Sequence, residues 1–280
     1  MAFKTILLNL NETRRNPALF EQAAHLARMS SGHIAGVYVI PAVQLYPSTA
    51  IEAMPVIFEA QREFFQRQRE TVKSAFAAGL RQHAVNGDLE VVDSPSPLIS
   101  DTVIEYGRAS DLLVLSQTDG EAREGVELDF VDRVVMAAGR PVLILPLKSQ
   151  AVDAFGTVIV AWNGRREAAR AAFDSLPLLH QAKEVRVIWI DPQQDENRPT
   201  GLAGRDLAQA LTRHGVNAVA ESMPGNGREA GEALLTKIFD TGANLLVMGA
   251  YGHARLREFI LGGATREVLK NMACPVLFSH

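Results

Sequence analysis

A single cysteine, Cys274, in 280 residues excludes an intramolecular disulfide framework and any multi-cysteine zinc or iron–sulfur centre. It fits a reducing compartment. No charge of one sign dominates: 28 Lys+Arg stand against 32 Asp+Glu, a formal net charge of −4. Nucleic acid is therefore a poor default partner, because phosphate-backbone binding needs a net basic face. Long hydrophobic runs are missing too. Met1–Leu8 reaches Asn9 and Asn11 well before the ~20 apolar residues of a membrane span, and it does not build a signal peptide. No P-loop, no G-x-S-x-G nucleophile elbow and no His-Glu-x-x-His pair occurs, which argues against a P-loop NTPase, an α/β-hydrolase and a zincin. What remains is a cytoplasmic globular protein without membrane or nucleic-acid partners.

Hydrophobic residues make up 47% and charged residues 21%, enough apolar surface to offset the chain entropy lost on folding. The length suits two domains of ~100–150 residues better than one. Short β-branched runs alternate with amphipathic stretches, the pattern of βα units around a buried parallel sheet. The first half offers Thr5–Leu10, Ile34–Ile40, Leu89–Val92, Leu112–Ser116 and Val142–Leu145. The second offers Val158–Trp162, Val185–Ile190, Ala218–Ser222, Leu245–Met248 and Val276–Phe278. Order and spacing repeat, so the chain is an internal duplication. Asp111–Ser116 parallels Asn244–Gly249, and Thr5–Asn11 parallels Thr157–Asn163. The join lies in Pro146–Gly156, which divides the chain into domains 1–150 and 151–280.

Helix-period apolar residues fall in Pro17–Ser30, Arg166–Leu179 and Gly204–His214. A longer stretch, Glu52–His83, has no counterpart of equal length; it reads as a solvated helix over the sheet or as a lid or partner surface. The last strand of each half, Val142–Leu145 and Val276–Phe278, either pairs within one chain as a pseudo-dimer or leaves an edge for a homodimer.

The stretch richest in chemistry is Gly249-Ala250-Tyr251-Gly252, nine residues, then Gly262-Gly263-Ala264-Thr265. Gly249 ends a predicted strand, where ligands bind in open parallel sheets. Glycines let the backbone turn tightly and let a ligand approach closely. The second pair opens a helix whose free N–H groups favour a phosphate, and Thr265 adds a hydroxyl. His253 lies inside this loop, as a phosphate contact or a solvated residue.

This G-x₂-G-x₉-G element, with its small-residue helix start and closing Cys-Pro-Val-Leu strand, resembles the universal stress protein family. With the duplication, the whole chain resembles a tandem member. The resemblance implies two tandem doubly wound, five-stranded parallel-sheet domains, Rossmann-like and of the adenine nucleotide alpha hydrolase-like type. It implies an adenine nucleotide as ligand, typically ATP, with or without magnesium. Carried over, Ala161, Trp162 and Asn163 flank adenine and ribose, and Trp189 faces the base. Met248 and Gly249 touch the adenosine, while Gly252, Gly262, Gly263, Ala264 and Thr265 hold phosphates. Two positions depart from the family: Asn163 stands where an Asp is usual, removing the carboxylate magnesium prefers. Gly263 stands where Ser is usual, removing a hydroxyl.

The first half reads Ser116-Gln117-Thr118-Asp119 where the glycine motif belongs, and Leu128–Val131 at the helix start. Asp119 and Asp129 repel phosphate, so this copy is degenerate toward nucleotide and holds another ligand or only supports its neighbour. Gly225–Ala230 fits G-x-G-x-x-A but follows the third strand of its repeat, so it reads as a loop with a helix start. Arg255, Arg257 and Arg266 flank the cradle, and Cys274 reads as a packed, inert thiol. The functional expectation is a nucleotide-binding signalling module acting on an unknown regulatory protein. The alternatives are a slow ATPase or autophosphorylating enzyme with Thr265 or nearby hydroxyls as acceptor, and a nucleotide-free partner-binding scaffold.

Overall fold

Ten short apolar runs become ten strands. The computed structural model describes residues 2–43, 54–120, 125–148, 151–152, 154–190, 204–250 and 263–280. Their chain order is β1 (Thr5–Asn9), α1 (Asn16–Ser30), β2 (His33–Ile40), α2 (Met54–His83), β3 (Asn86–Asp93), α3 (Ile99–Gly107), β4 (Leu112–Ser116), α4 (Phe130–Ala137) and β5 (Val142–Leu145). The second run comprises β6 (Thr157–Ala161), α5 (Arg166–Asp174), α6 (Leu176–Leu179), β7 (Glu184–Ile190), α7 (Arg205–Arg213), β8 (Ala218–Met223), α8 (Ala230–Thr241), β9 (Leu245–Gly249), α9 (Gly263–Asn271) and β10 (Val276–Ser279). None of the described helices is long and apolar enough to cross a membrane.

The chain divides into two compact units, Phe3–Ala138 and Gly139–His280. In the first, the strands lie in the order β3-β2-β1-β4, all parallel. In the second the order is β5-β10-β9-β6-β7-β8, parallel throughout except for β5. Both therefore carry the 3-2-1-4 strand order of a doubly wound sheet. The last strand of the first repeat, β5, runs antiparallel beside β10, with Leu143 opposite Leu277. The two last strands thus pair within one chain. The compact division falls before β5, one strand earlier than the repeat boundary read from the linker.

Inner strands are apolar on both faces because helices cover both. Ile6, Leu8, Val114, Ile159, Val247 and Leu277 are wholly buried. The outer strands β3 and β8 instead place exposed residues among half-buried ones, which suits an edge. Helix α2 lies over the first sheet: Phe76 meets Phe20 edge-on at 5.4 Å, and the Tyr38 hydroxyl donates to the Phe65 carbonyl. Residues 52 and 53 of the expected helix lie outside the described residues. The helix expected over Arg166–Leu179 is broken at Ser175 into α5 and α6. Pro177 has no N–H to donate to Phe173 and its ring crowds that carbonyl. Cys274 is buried, and burial pushes its thiol up to about 12, a hydrogen bond with the Leu246 backbone lowering it only in part. At neutral pH it is a protonated, unreactive group.

One device recurs in both units. Asp111, just before β4, accepts the Lys4 and Thr5 N–H groups at 2.7 and 2.9 Å and donates its own N–H to the Thr5 carbonyl. Asn244, at the matching place before β9, accepts the Gly156 N–H at 2.9 Å and donates its amide to the Ala154 carbonyl. Each clamps the entry of the first strand of its repeat to the fourth. Replacing Asp111 with Ala should lower stability by about 1–3 kcal/mol through two stranded backbone donors, read as an earlier urea transition. Asp111→Asn, which keeps an acceptor as Asn244 does, should recover most of it.

Candidate functional site

In each unit the chain leaves its first strand toward one side of the sheet and later crosses to the other. This topological switch lies between β1 and β4 in the first unit and between β6 and β9 in the second. Ligands of open parallel sheets sit outside the carboxyl ends of the strands at that point.

In the second unit, six of the expected residues gather on those ends. The β6–β9 register sets Val160 opposite Val247, so Ala161 and Trp162 follow beside Met248 and Gly249. Trp162 donates its backbone N–H to the Ile188 carbonyl at 2.8 Å, and Trp189 is the next residue of β7. Asn163 accepts the Arg165 N–H through Oδ1 at 3.0 Å, a local turn that leads into α5. The Trp162 indole N–H is buried and has no hydrogen-bond partner. Gly252, His253 and Gly262 lie outside the described residues, as do Arg255 and Arg257. Arg266 is exposed on α9.

Gly249 has a packing reason for lacking a side chain. A Cβ there would lie 2.4 Å from the Glu167 carbonyl carbon and 2.5 Å from the Ala168 nitrogen, so α5 rests directly on the end of β9. The Glu167 side chain is buried with it. Burial would raise its carboxyl, but hydrogen bonds from Arg166 and its own backbone N–H, with the charges of Arg166 and His280, hold it below the usual range. His280 in turn contacts the Ala250 carbonyl through Nδ1 at 3.1 Å.

The helix start is equally tight. Gly263, Ala264 and Thr265 form the first turn of α9, with Thr265 only 3% exposed. A Cβ on Gly231, in the first turn of α8, would meet the Ala264 carbonyl oxygen at 2.9 Å. Two helix N-termini, each with free N–H groups and a positive dipole end, therefore lie side by side. The turn Gly225–Arg228, closed by the Arg228 N–H on the Gly225 carbonyl, leads into α8 and sets Glu229 near Gly263. A Cβ on Gly263 would stand 3.9 Å from Glu229 Oε2. Thirty-four residues separate the two, so nothing in the local sequence pairs them. Among the described residues no group of three His, Cys, Asp or Glu could hold a metal ion.

The first unit handles the same positions differently. Asn11, the counterpart of Asn163, is taken up by the β2 backbone: it accepts the Val39 N–H at 3.0 Å and donates to the Val39 carbonyl at 2.7 Å. The N-terminus of α3 receives the Glu127 carboxylate, which accepts the Ile99 and Ser100 N–H groups at 3.3 and 2.8 Å. An internal anion thus satisfies this helix start, whereas the counterpart helix α8 has no side-chain cap hydrogen bond from its N-cap residue Glu229.

Comparison with known proteins agrees with this architecture. Residues 157–280 match the universal stress protein family. Universal stress protein Slr1230 of Synechocystis sp. is 27% identical over 149 residues, 52% of this chain and 49% of the cyanobacterial protein. The alignment thus spans about half of that relative. A universal stress protein from Archaeoglobus fulgidus superposes with a TM-score of 0.74 at 16% identity, covering 98% of this chain and 95% of that one. A putative universal stress protein from Pseudomonas aeruginosa superposes with a TM-score of 0.60 at 14% identity, over 99% and 93%. At these identities the structures speak to the fold, which both halves share.

The Gly249 contact yields a direct test. Gly249→Ala forces a methyl into the α5 backbone and should cost about 1–3 kcal/mol, read as an earlier urea transition. Gly263→Ala, with only a carboxylate oxygen at 3.9 Å, should leave that midpoint unchanged or raise it.

Proposed function

Because residues 157–280 form a universal stress protein domain, we propose that the second unit binds an adenine nucleotide, ATP or a close relative. The chain then acts in the cytoplasm as a stress-response binding and signalling module read by a regulatory protein. The observation that carries this reading is the abutting pair of helix N-termini at Gly231 and Ala264, a natural seat for phosphate. The buried, unpartnered indole N–H of Trp162 supports it at the switch point, since such a donor calls for an acceptor. Adenine nitrogens and ribose oxygens both provide one.

The donor set speaks to the metal. The position suited to a carboxylate is Asn163, an amide already engaged in a turn. Magnesium would accompany the phosphates rather than be held by the protein. Turnover has less support than binding. Thr265, the candidate phosphoryl acceptor, is buried in α9, and no described carboxylate or histidine stands as an evident base. Glu229 beside Gly263 opposes an anion at the α9 start and sets the affinity below what the backbone alone would give.

Titration calorimetry of the full chain with ATP, ADP and AMP tests the reading. Saturable binding of at least one at submillimolar concentration is expected, little changed when EDTA replaces magnesium. Glu229→Gln should tighten ATP binding several-fold by removing a like charge, and more for ATP than for AMP. Gly263→Ser should tighten it as well, by restoring a hydroxyl donor. Absence of binding at millimolar nucleotide would sink the proposal.

A further inference from the structure

Strand β8 ends the sheet of the second unit on one side, and its outer ladder edge is bare. We propose that this edge pairs with β8 of a second copy of the chain, antiparallel about a twofold axis at Val219.

Val185 of β7 lies opposite Ala218 and donates its N–H to the Asn217 carbonyl at 2.9 Å. Ladder alternation then turns the N–H and C=O groups of Val219 and Glu221 toward β7, and those of Ala218, Ala220 and Ser222 outward. Among the described residues no hydrogen bond reaches these outward groups. Proteins blunt such an edge with charge, proline or a bulge, or they cover it. The outer strand of the first unit follows that rule, since β3 carries Asp88, Glu90 and Asp93 along its length. Strand β8 does not. Its one charged side chain, Glu221, accepts from Lys237 of α8, and Arg186 Nη1 stands 3.6 Å away. Val219, in the middle of the strand, is 45% exposed. Pro224, at the next outward position, offers no N–H and ends the edge. Between Ala218 and Ser222 the edge is neutral, small and apolar, and nothing on it repels another strand.

Charge and side-chain pairing select the register. The axis can fall on Val219, Ala220 or Glu221, the positions at which outward groups of two copies meet. An axis on Glu221 sets carboxylate against carboxylate. An axis on Ala220 sets each Val219 against a Glu221. With the axis on Val219, valine covers valine in a close, non-bonded pair, and Glu221 faces the Asn217 amide. Ala218 of each copy then exchanges both ladder hydrogen bonds with Ala220 of the other. A foreign strand offers the same backbone bonds, whereas a second copy also brings the side chain that covers Val219. The contact is short, so the dimer is weak and concentration-dependent.

Sedimentation equilibrium of the full chain tests the pairing, and a reversible monomer–dimer equilibrium in the micromolar range is expected. Val219→Lys, which sets two ammonium groups together at the axis, should weaken it at least about tenfold. Ala220→Pro removes only an outward N–H and leaves the β7 ladder whole, so it should abolish the dimer. Disulfide trapping reads the register. In Val219→Cys the paired Cα atoms would stand about 4.5 Å apart, within the roughly 4.4–6.8 Å that a disulfide spans. Mild oxidation should link this variant into a covalent dimer much faster than Phe239→Cys, a position on α8 that is 88% exposed. The native Cys274 is buried and does not compete. Each variant should keep the far-UV circular dichroism of the parent; for one that does not, the trapping result decides. The proposal is overturned by a chain that stays monomeric at millimolar concentration, by a dimer that survives both Val219→Lys and Ala220→Pro, or by Val219→Cys linking no faster than Phe239→Cys.

Discussion

A parallel sheet covered on both faces has one place to do chemistry: its ends. Within β1, β4, β9 and β10 nearly every side chain is buried and apolar, and every ladder N–H and C=O is committed to a neighbouring strand. In these four strands the buried polar side chains stand only where the ladder stops. Asn9, Asn11 and Ser116 stand at such ends in the first unit, and Asn163 and Ser279 in the second. The remaining specialisation of the molecule follows from this constraint. Divergence between the two repeats is confined to the positions that the sheet does not need.

The repeats show how far such divergence can go on an unchanged frame. At the same repeat offset, Arg15 reaches Ser116 while Glu167 packs against Gly249. A cation and an anion have exchanged places beside matching strand ends. Asn11 has become part of the β2 ladder edge, whereas Asn163 shapes the entry to α5. The helix start at α3 is satisfied internally by Glu127. Each change is one or two residues, and none disturbs the strand order.

Much of this architecture was legible in the sequence because buried strands have a local signature. All ten β-branched runs lie in strands, with ends moved by at most three residues. Arg166–Leu179 was misjudged as continuous because apolar periodicity outweighed Pro177. The place of β5 was legible only as one of two alternatives, a partner strand within the chain or an edge for a homodimer. Its sequence marks it as the end of the first repeat, but pairing with β10 is a long-range event with no local mark. At the site, Gly249 could be read from its place at the end of a strand, whereas Asn163 and Met248 entered only through the family resemblance. The Gly249 contact with α5 and the approach of Glu229 to Gly263 join residues far apart in the chain. They have no signature short of the fold.

The antiparallel contact between β5 and β10 bears on how the molecule can be cut. A fragment begun at the repeat boundary, near residue 151, would carry β10 with one ladder edge stripped, and that edge is the apolar Val276-Leu277-Phe278. Such an edge recruits any strand it meets. Two fragments would join through it, and the resulting dimer would be a property of the scissors rather than of the protein. A fragment begun before Arg140 keeps β5 as its own guard strand.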